Sequence, residues 1–276
     1  ENLLSYLRDR VVMITGAAGG FGALLALRCL ERGAFVVALD LDETALAAAI
    51  GPSERCLMRS ADVTNISDLT DAVTAGVEAF GGIDVLVNNA GIMPLAFYRD
   101  HAEAGEAWAR CIDVNIKGVL NGIIAVHDQM ISAGRGHVVN LSSIYGNAAV
   151  AGSAVYGATK AAVNQLSESL RLESQGKIKV TVVKPTGVPG TGLGGGVINP
   201  SAIAGILGAN YEGYMGTMGQ IAAGSADPAL VSKDTIEYAA LDPELLVEQM
   251  LHAMDQPWGV VISEITVRAA NDRYVI

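Results

Sequence analysis

The sequence predicts a doubly wound α/β fold, a parallel sheet with helices on both faces, in one domain. Three observations predict it. Apolar runs of strand length alternate with longer stretches of helical periodicity along most of the chain. Several runs, such as Val36-Val37 and Thr181-Val182-Val183, are continuous and β-branched, as strands buried on both sides require. The first run ends in a glycine-rich turn that opens a helix.

Taken in order, residues 1–10 read as a short amphipathic lead-in and 11–15 as the first strand. Residues 20–32 carry Phe21, Leu24, Leu25, Leu27, Cys29 and Leu30 at helical spacing. A second strand at 35–39 closes on Asp40, and a weaker third lies at 55–60. Asn65 stands where a cap would open a helix over 66–80. A fourth strand at 85–87 runs into Asn88-Asn89-Ala90-Gly91. Residues 103–132 read as a long helix ended near Gly134, followed by a strand at 137–141 and a helix at 154–173. A sixth strand at 178–183 stops at Pro185. After a long glycine-rich segment come a helix at 242–254 and a last strand at 260–267.

Lys and Arg total 18 against 29 Asp and Glu, a net charge of −11, which argues against a nucleic-acid partner. Hydrophobic residues make up 51% of the chain, which suits a globular core. No apolar run reaches spanning length free of glycine or charge, so no membrane association is expected. The three cysteines and four histidines show neither zinc spacing nor a disulfide framework. No metal is expected, and a reducing cytoplasm is the default location.

Sheets of this kind bind ligands beyond the carboxyl ends of their strands. Gly16, Asp40, Asp62, Asn89, Ser143 and Pro185 all fall there. The turn Thr15-Gly16-Ala17-Ala18-Gly19-Gly20-Phe21-Gly22 lets backbone approach a pyrophosphate at a helix N-terminus, although its spacing matches neither G-x-G-x-x-G nor a P-loop. Asp40 can accept hydrogen bonds from both hydroxyls of an adenosine ribose and would repel a 2′-phosphate. Leu41 follows it, with no adjacent Arg, so NAD is favoured over NADP. Tyr156 and Lys160 lie four apart on one helix face. A phenol titrates near ~10, and a nearby ammonium lowers that value and suits it to proton transfer.

In these residues together the chain resembles the short-chain dehydrogenases/reductases. The glycine turn, Asp62-Val63, Asn88-Asn89-Ala90-Gly91, Asn115, Ser143 and Tyr156-x-x-x-Lys160 stand in that family's order between about residues 11 and 185. The turn read through Gly16, Gly20 and Gly22 fits the simple branch, and read through Gly16, Gly19 and Gly22 it also fits the extended branch. The short chain and the Asn-Asn-Ala-Gly sequence favour the simple one.

The resemblance implies a Rossmann-type fold, an NAD cofactor and direct hydride transfer. It assigns Ser143 to the substrate oxygen, Tyr156 to general acid/base work, Lys160 also to the nicotinamide ribose, and Asn115 to a water in the proton relay. It places Gly16, Ala18, Gly20, Phe21, Gly22, Asp40, Leu41, Asp62, Val63, Asn89, Ala90, Gly91, Pro185, Thr186, Gly187 and Val188 against the cofactor. Two departures stand out. Pro185-Thr186-Gly187-Val188 replaces the usual Pro-Gly, and Ile262-Ser263-Glu264-Ile265-Thr266-Val267-Arg268 replaces the usual Asp-Gly-Gly, which leaves the family's usual homodimer or homotetramer contacts open there.

Residues 186–238 depart from the strand–helix pattern and read as a substrate-binding lid. Met93, Leu95, Tyr145 and Leu193 are the candidate pocket residues, with Ile92, Phe97, Tyr98, Val150 and Tyr211 around them. The expected substrate is a hydrophobic secondary alcohol, aromatic and cyclic ones included, with its ketone. The competing readings are an NADP-dependent ketoacyl-type reductase and a non-catalytic dinucleotide sensor on the same fold.

Overall fold

The computed structural model describes residues 5–276. The expected lead-in at 1–10 therefore lies partly outside the described residues. Seven strands form one parallel sheet: β1 (Val11–Thr15), β2 (Phe35–Asp40), β3 (Cys56–Ser60), β4 (Val85–Asn88), β5 (Gly136–Leu141), β6 (Ile178–Pro185) and β7 (Glu264–Val267). Their order is β3-β2-β1-β4-β5-β6-β7. The winding reverses between β1 and β4, and that crevice is where such sheets bind ligands.

The alternation within each strand divides the core. Ile14, Val36, Val87 and Val139 point to one face, where they meet Leu25 and Cys29 of α1 (Gly20–Glu31) and Met250 and Met254 of α10 (Pro243–Met254). Met13, Val37, Leu86 and Val138 point to the other. There they meet α3 (Ile66–Phe80), α5 (Gly118–Ala133) and α6 (Ala154–Glu173) through Leu69, Met130 and Val163. Each such side chain contributes about 1.5–3 kcal/mol by leaving water.

The ends of the elements follow their local chemistry. The Asn65 side chain accepts from Ser67 N and caps α3, which stops at Gly81 in the left-handed region (φ 89°). A helix α2 (Glu43–Ile50) was not foreseen; the Asp42 side chain caps it by accepting from Ala45 N. The expected long helix at 103–132 is two helices, α4 (His101–Ile112) and α5, joined by a π-helical turn at Asp113–Lys117. That turn carries Asn115 inward, and its carboxamide is spent on the backbone of Ile92. The last strand is four residues, not the expected eight. Over 260–263 the β6 side chains capture the neighbouring carbonyls: Lys179 Nζ donates to Val260 O and Thr181 Oγ1 to Ile262 O.

The 186–238 segment is built from short helices: α7 (Ala204–Leu207), α8 (Tyr211–Ala222) and α9 (Pro228–Val231), with 3-10 turns between. It lies on the loops beyond β4 and β5. Ile198 N and Asn199 N both donate to Leu95 O, and Gly205 sits so close to Ala151 that a Cβ would stand 1.9 Å from its carbonyl oxygen.

A buried amide chain ties sheet to helix. Asn88 Nδ2 donates to Asn140 Oδ1 (2.8 Å), Asn140 Nδ2 to Ser167 Oγ (2.8 Å), and Ser167 Oγ to Val163 O (2.7 Å). Asn140→Ala strips partners from two buried polar groups and should lower the unfolding free energy by about 1–3 kcal/mol in urea titration. A loss below ~0.5 kcal/mol would show that the chain carries no such weight.

Candidate active site

The glycine turn leaves β1 for α1. Gly16 (φ +66°) and Gly20 (φ +50°) both need the left-handed region. A Cβ on Gly22 would lie 2.1 Å from Gly16 O and 2.6 Å from Asn89 Nδ2. Gly19 is extended (φ −167°) with open space around it. The positions that tolerate no side chain are thus Gly16, Gly20 and Gly22, the simple-branch reading. Bare backbone and an uncapped helix N-terminus make a cradle that fits a pyrophosphate. Phe21 instead packs its ring against the core of the α1 face.

Asp40 closes β2 beside this cradle. Its Oδ2 accepts from Ala18 N (3.0 Å) and its Oδ1 from Leu41 N (2.7 Å). The carboxylate is fixed while lone pairs on both oxygens stay free, which suits a ribose diol. Leu41 is 58% exposed and leaves that side open. Asp62 Oδ1 accepts from Thr64 N and Thr64 Oγ1, and Val63 packs where a Cβ on Gly118 would be.

Asn89 braces the turn from β4. Its Nδ2 donates to Thr15 O and Gly16 O, both at 2.9 Å, while Thr15 Oγ1 accepts from Asn89 N and Ala90 N. The Asn89 amide hydrogens are therefore committed, and contact with a ribose falls to its Oδ1 and to the backbone of Ala90 and Gly91. A Cβ on Gly91 would stand 3.3 Å from Asn115 Oδ1 and 3.6 Å from Lys160 Nζ, so Gly91 brings these two side chains to the end of β4.

Ser143, Tyr156 and Lys160 meet beyond β5. The Ser143 hydroxyl lies beside the Tyr156 phenol, close enough to favour its ionised form, and the Tyr156 side chain is 3% exposed. Ser142 is a strut, its Oγ donating to Lys160 O. Lys160 Nζ lies 5.7 Å from the centre of the Tyr156 ring and donates to Leu141 O (2.8 Å). Burial pushes the Tyr156 phenol above its usual range, and the neighbouring Ser143 hydroxyl offsets only part of that. Burial also pushes the Lys160 ammonium down to about 8. Within the protein itself, desolvation is the largest influence on the Tyr156 phenol and holds it protonated. The Asn115 carboxamide is turned away from the phenol. Its Nδ2 donates to Ile92 O, Thr159 Oγ1 and Cys111 Sγ, and its Oδ1 accepts from Ile92 N. With that side chain fully used and buried, only its backbone is left to hold a relay water.

Of the pocket candidates, Met93, Leu95 and Tyr145 pack in one apolar cluster with Tyr156, and the rings of Tyr145 and Tyr156 meet edge-on at 5.4 Å. Leu193 lies in a 3-10 turn outside that cluster, and Tyr98 is 73% exposed against Trp108. Thr186 Oγ1 donates to Val267 O, so its side chain turns to β7, away from the site. Residues unmarked in the sequence also reach the site. The carbonyl of Thr191 lies 2.7 Å from where a Cβ on Gly20 would be, and Tyr274 covers Gly187. Both contacts join distant segments, and no local pattern announces them.

A family model described as short chain dehydrogenase matches residues 10–198. An uncharacterized oxidoreductase of Staphylococcus saprophyticus is 32% identical over 267 residues, 95% of this chain and 98% of that protein. A 3-alpha-(or 20-beta)-hydroxysteroid dehydrogenase of Mycobacterium tuberculosis is 41% identical over 181 residues, 65% of this chain and 69% of that protein. The solved closed form of a serine dehydrogenase complexed with NADP+ has a TM-score of 0.73 at 27% identity, over 93% of this chain and 94% of that one.

Lys160 opposes folding, because a buried ammonium with one hydrogen bond is poorly compensated. Lys160→Met should leave the melting temperature unchanged or raised at pH 7. The sign with pH follows from the lowered value. Below pH 8 both states are protonated and the full penalty applies; between about 8 and 10.5 the folded state sheds the proton first and gains stability. The difference between wild type and Lys160→Met should therefore shrink over that window in thermal melts; a constant difference contradicts the burial argument.

Proposed function

The chain belongs to the short-chain dehydrogenase family, an oxidoreductase family, and we propose that it interconverts a hydrophobic secondary alcohol and its ketone with NAD. The observation that carries this reading is Lys160 Nζ 5.7 Å from the centre of the Tyr156 ring, with Ser143 beside that phenol, at the sheet edge that also holds the glycine cradle and Asp40. A nicotinamide dinucleotide would be held by the glycine cradle and Asp40, and would supply the hydride for the carbonyl carbon or accept one from the alcohol carbon. In reduction Tyr156 donates its phenolic proton to the carbonyl oxygen, and Ser143 Oγ hydrogen-bonds the same oxygen. The Lys160 ammonium stabilises the phenolate left behind. In oxidation the proton returns to Tyr156 from the alcohol.

The apolar cluster of Met93, Leu95 and Tyr145 around Tyr156 supports a hydrophobic substrate, and so does the likeness to a hydroxysteroid dehydrogenase. The structurally similar serine dehydrogenase acts on a small hydroxy acid by its name, so L-serine belongs in the test. Asp40, fixed by Ala18 N and Leu41 N, supports NAD, although that serine dehydrogenase was solved with NADP+. We place the 186–238 segment over the substrate as a lid. A homodimer or homotetramer is supported by Ile112, Leu120 and Ile124, exposed along one stretch of α4 and α5. The three free cysteines fit a reducing cytoplasm.

The decisive assay is a panel of cyclic, aromatic and aliphatic ketones and alcohols, with L-serine, under both cofactors. Ketone reduction with NADH is expected, and Tyr156→Phe should lower kcat about 10²–10⁴-fold while NADH still binds. Turnover confined to L-serine overturns the substrate reading. Asp40→Ala should bring kcat/KM for NADP to within about tenfold of that for NAD; a wild type that prefers NADP removes the cofactor reading. Light scattering should give twice or four times the chain mass.

A further inference from the structure

The residues after β7 return to the carboxyl edge of the sheet. Val275 N donates to Ile206 O (2.9 Å), and Asn210 Nδ2 donates to Arg273 O (3.0 Å), so this segment is docked on the short helices of the 186–238 segment. Between these two ties stands Tyr274. Its hydroxyl occupies the space beside Gly187, 1.5 Å from where a Cβ would be, so no other residue than glycine leaves it room. The same hydroxyl meets that of Tyr214, on α8, at 2.8 Å.

Gly187 lies two residues past the end of β6. The register Leu141↔Val183 sets Ser143 alongside Pro185, so the Tyr274 hydroxyl stands near the strand end that carries Ser143. Tyr145 spans the interval. It meets Tyr156 edge-on, and it also packs in the apolar cluster that holds Tyr214 and Tyr274. The two hydroxyls are thus linked to Tyr156 through the ring of Tyr145.

A phenol carries one donor and two acceptor sites. The Tyr214–Tyr274 bond uses one donor and one acceptor, and no other side-chain hydrogen bond is made by either hydroxyl among the described residues. One O–H and several lone pairs remain, on two half-buried rings that pack against the cluster of Ile144, Ile206 and Leu207. Burial keeps the Tyr274 phenol protonated, hence a donor. A half-buried hydroxyl pair with a spare O–H is equipped to hold a polar group that settles on this apolar surface.

We propose that the Tyr214–Tyr274 hydroxyl pair is a second polar anchor of the substrate site, which selects cyclic ketones carrying a second oxygen across the ring system from the reacting carbonyl. The proposal rests on the oxidoreductase reading above. It makes the segment after β7 part of the specificity apparatus, joined there to α8.

The test compares kcat/KM for two matched pairs, cyclohexanone with cyclohexane-1,4-dione and 2-decalone with decalin-2,6-dione, using NADH or NADPH, whichever serves. Wild type should favour the dione, and Tyr274→Phe should lower the dione-to-monoketone ratio about tenfold in at least one pair, the loss of one hydrogen bond. Tyr214→Phe should do the same and serves if Tyr274→Phe does not fold. Fluorescence titration with NADH separates this from damage to the cofactor site, because the anchor predicts an unaltered Kd. Unchanged ratios in both pairs overturn the anchor while leaving the oxidoreductase reading intact. Wild type that reduces none of the four ketones removes that reading, and the anchor with it.

Discussion

The site depends on one carboxamide. Asn89 leaves the end of β4 and donates both amide hydrogens to the carbonyls of Thr15 and Gly16, across the crevice where the winding of the sheet reverses. Without those donors the last carbonyls of β1 would face each other and the turn unpaired. With them the turn is held open, and Gly22 can bring α1 so near that a Cβ would strike Asn89 Nδ2 itself. The position of the helix N-terminus, of Ala18 N and therefore of Asp40 follows from that brace. A buried backbone needs its hydrogen bonds, and here the need is met by the residue that also begins the loop leading to Gly91 and Lys160.

The site balances burial against charge. Tyr156 and Lys160 are both taken out of water, which raises the proton affinity of one and lowers that of the other. Each shift works against the charged form, yet Lys160, at about 8, remains an ammonium at neutral pH. The apolar cluster of Leu95, Cys111 and Tyr156 encloses the phenol. Cys111 is part of the same enclosure, and its thiol is pushed up to about 11 by burial, which suits a packing residue and not a nucleophile.

Most of the fold was legible because strands buried on both faces leave continuous apolar runs, and parallel topology then brings their ends together. Asp40, Asn89, Ser143 and Pro185 were found by that argument from position alone. Ser142 Oγ donates to Lys160 O, which leaves Ser143 as the hydroxyl beside Tyr156. What escaped were features with no local period. The helix over Glu43–Ile50 is short and alanine-rich, and its signal was the Asp42 cap alone. The last strand looked longer because Val260 and Val261 favour extended backbone, yet the carbonyls of Val260 and Ile262 accept from the side chains of Lys179 and Thr181. The roles of Thr191 and Tyr274 arise from contacts with Gly20 and Gly187, far away in the chain. In those cases the glycine was visible and its visitor was not.

The π-helical turn at Asp113–Lys117 sets the phase between two helices. An α-helix advances about 100° per residue, and a π turn absorbs one residue beyond that count. Helix α5 therefore starts one residue late with respect to α4, and this delay aims Val119, Ile123, Val126 and Met130 into the sheet. Loss of one residue there would let α4 run into α5 as plain α-helix with α5 in the same phase. Forcing the turn into α geometry with every residue kept would instead rotate the whole of α5 by about 100° and carry Val119, Ile123, Val126 and Met130 off the sheet. The irregularity is thus a counting device, which takes up the one residue that the packing of both helices does not need.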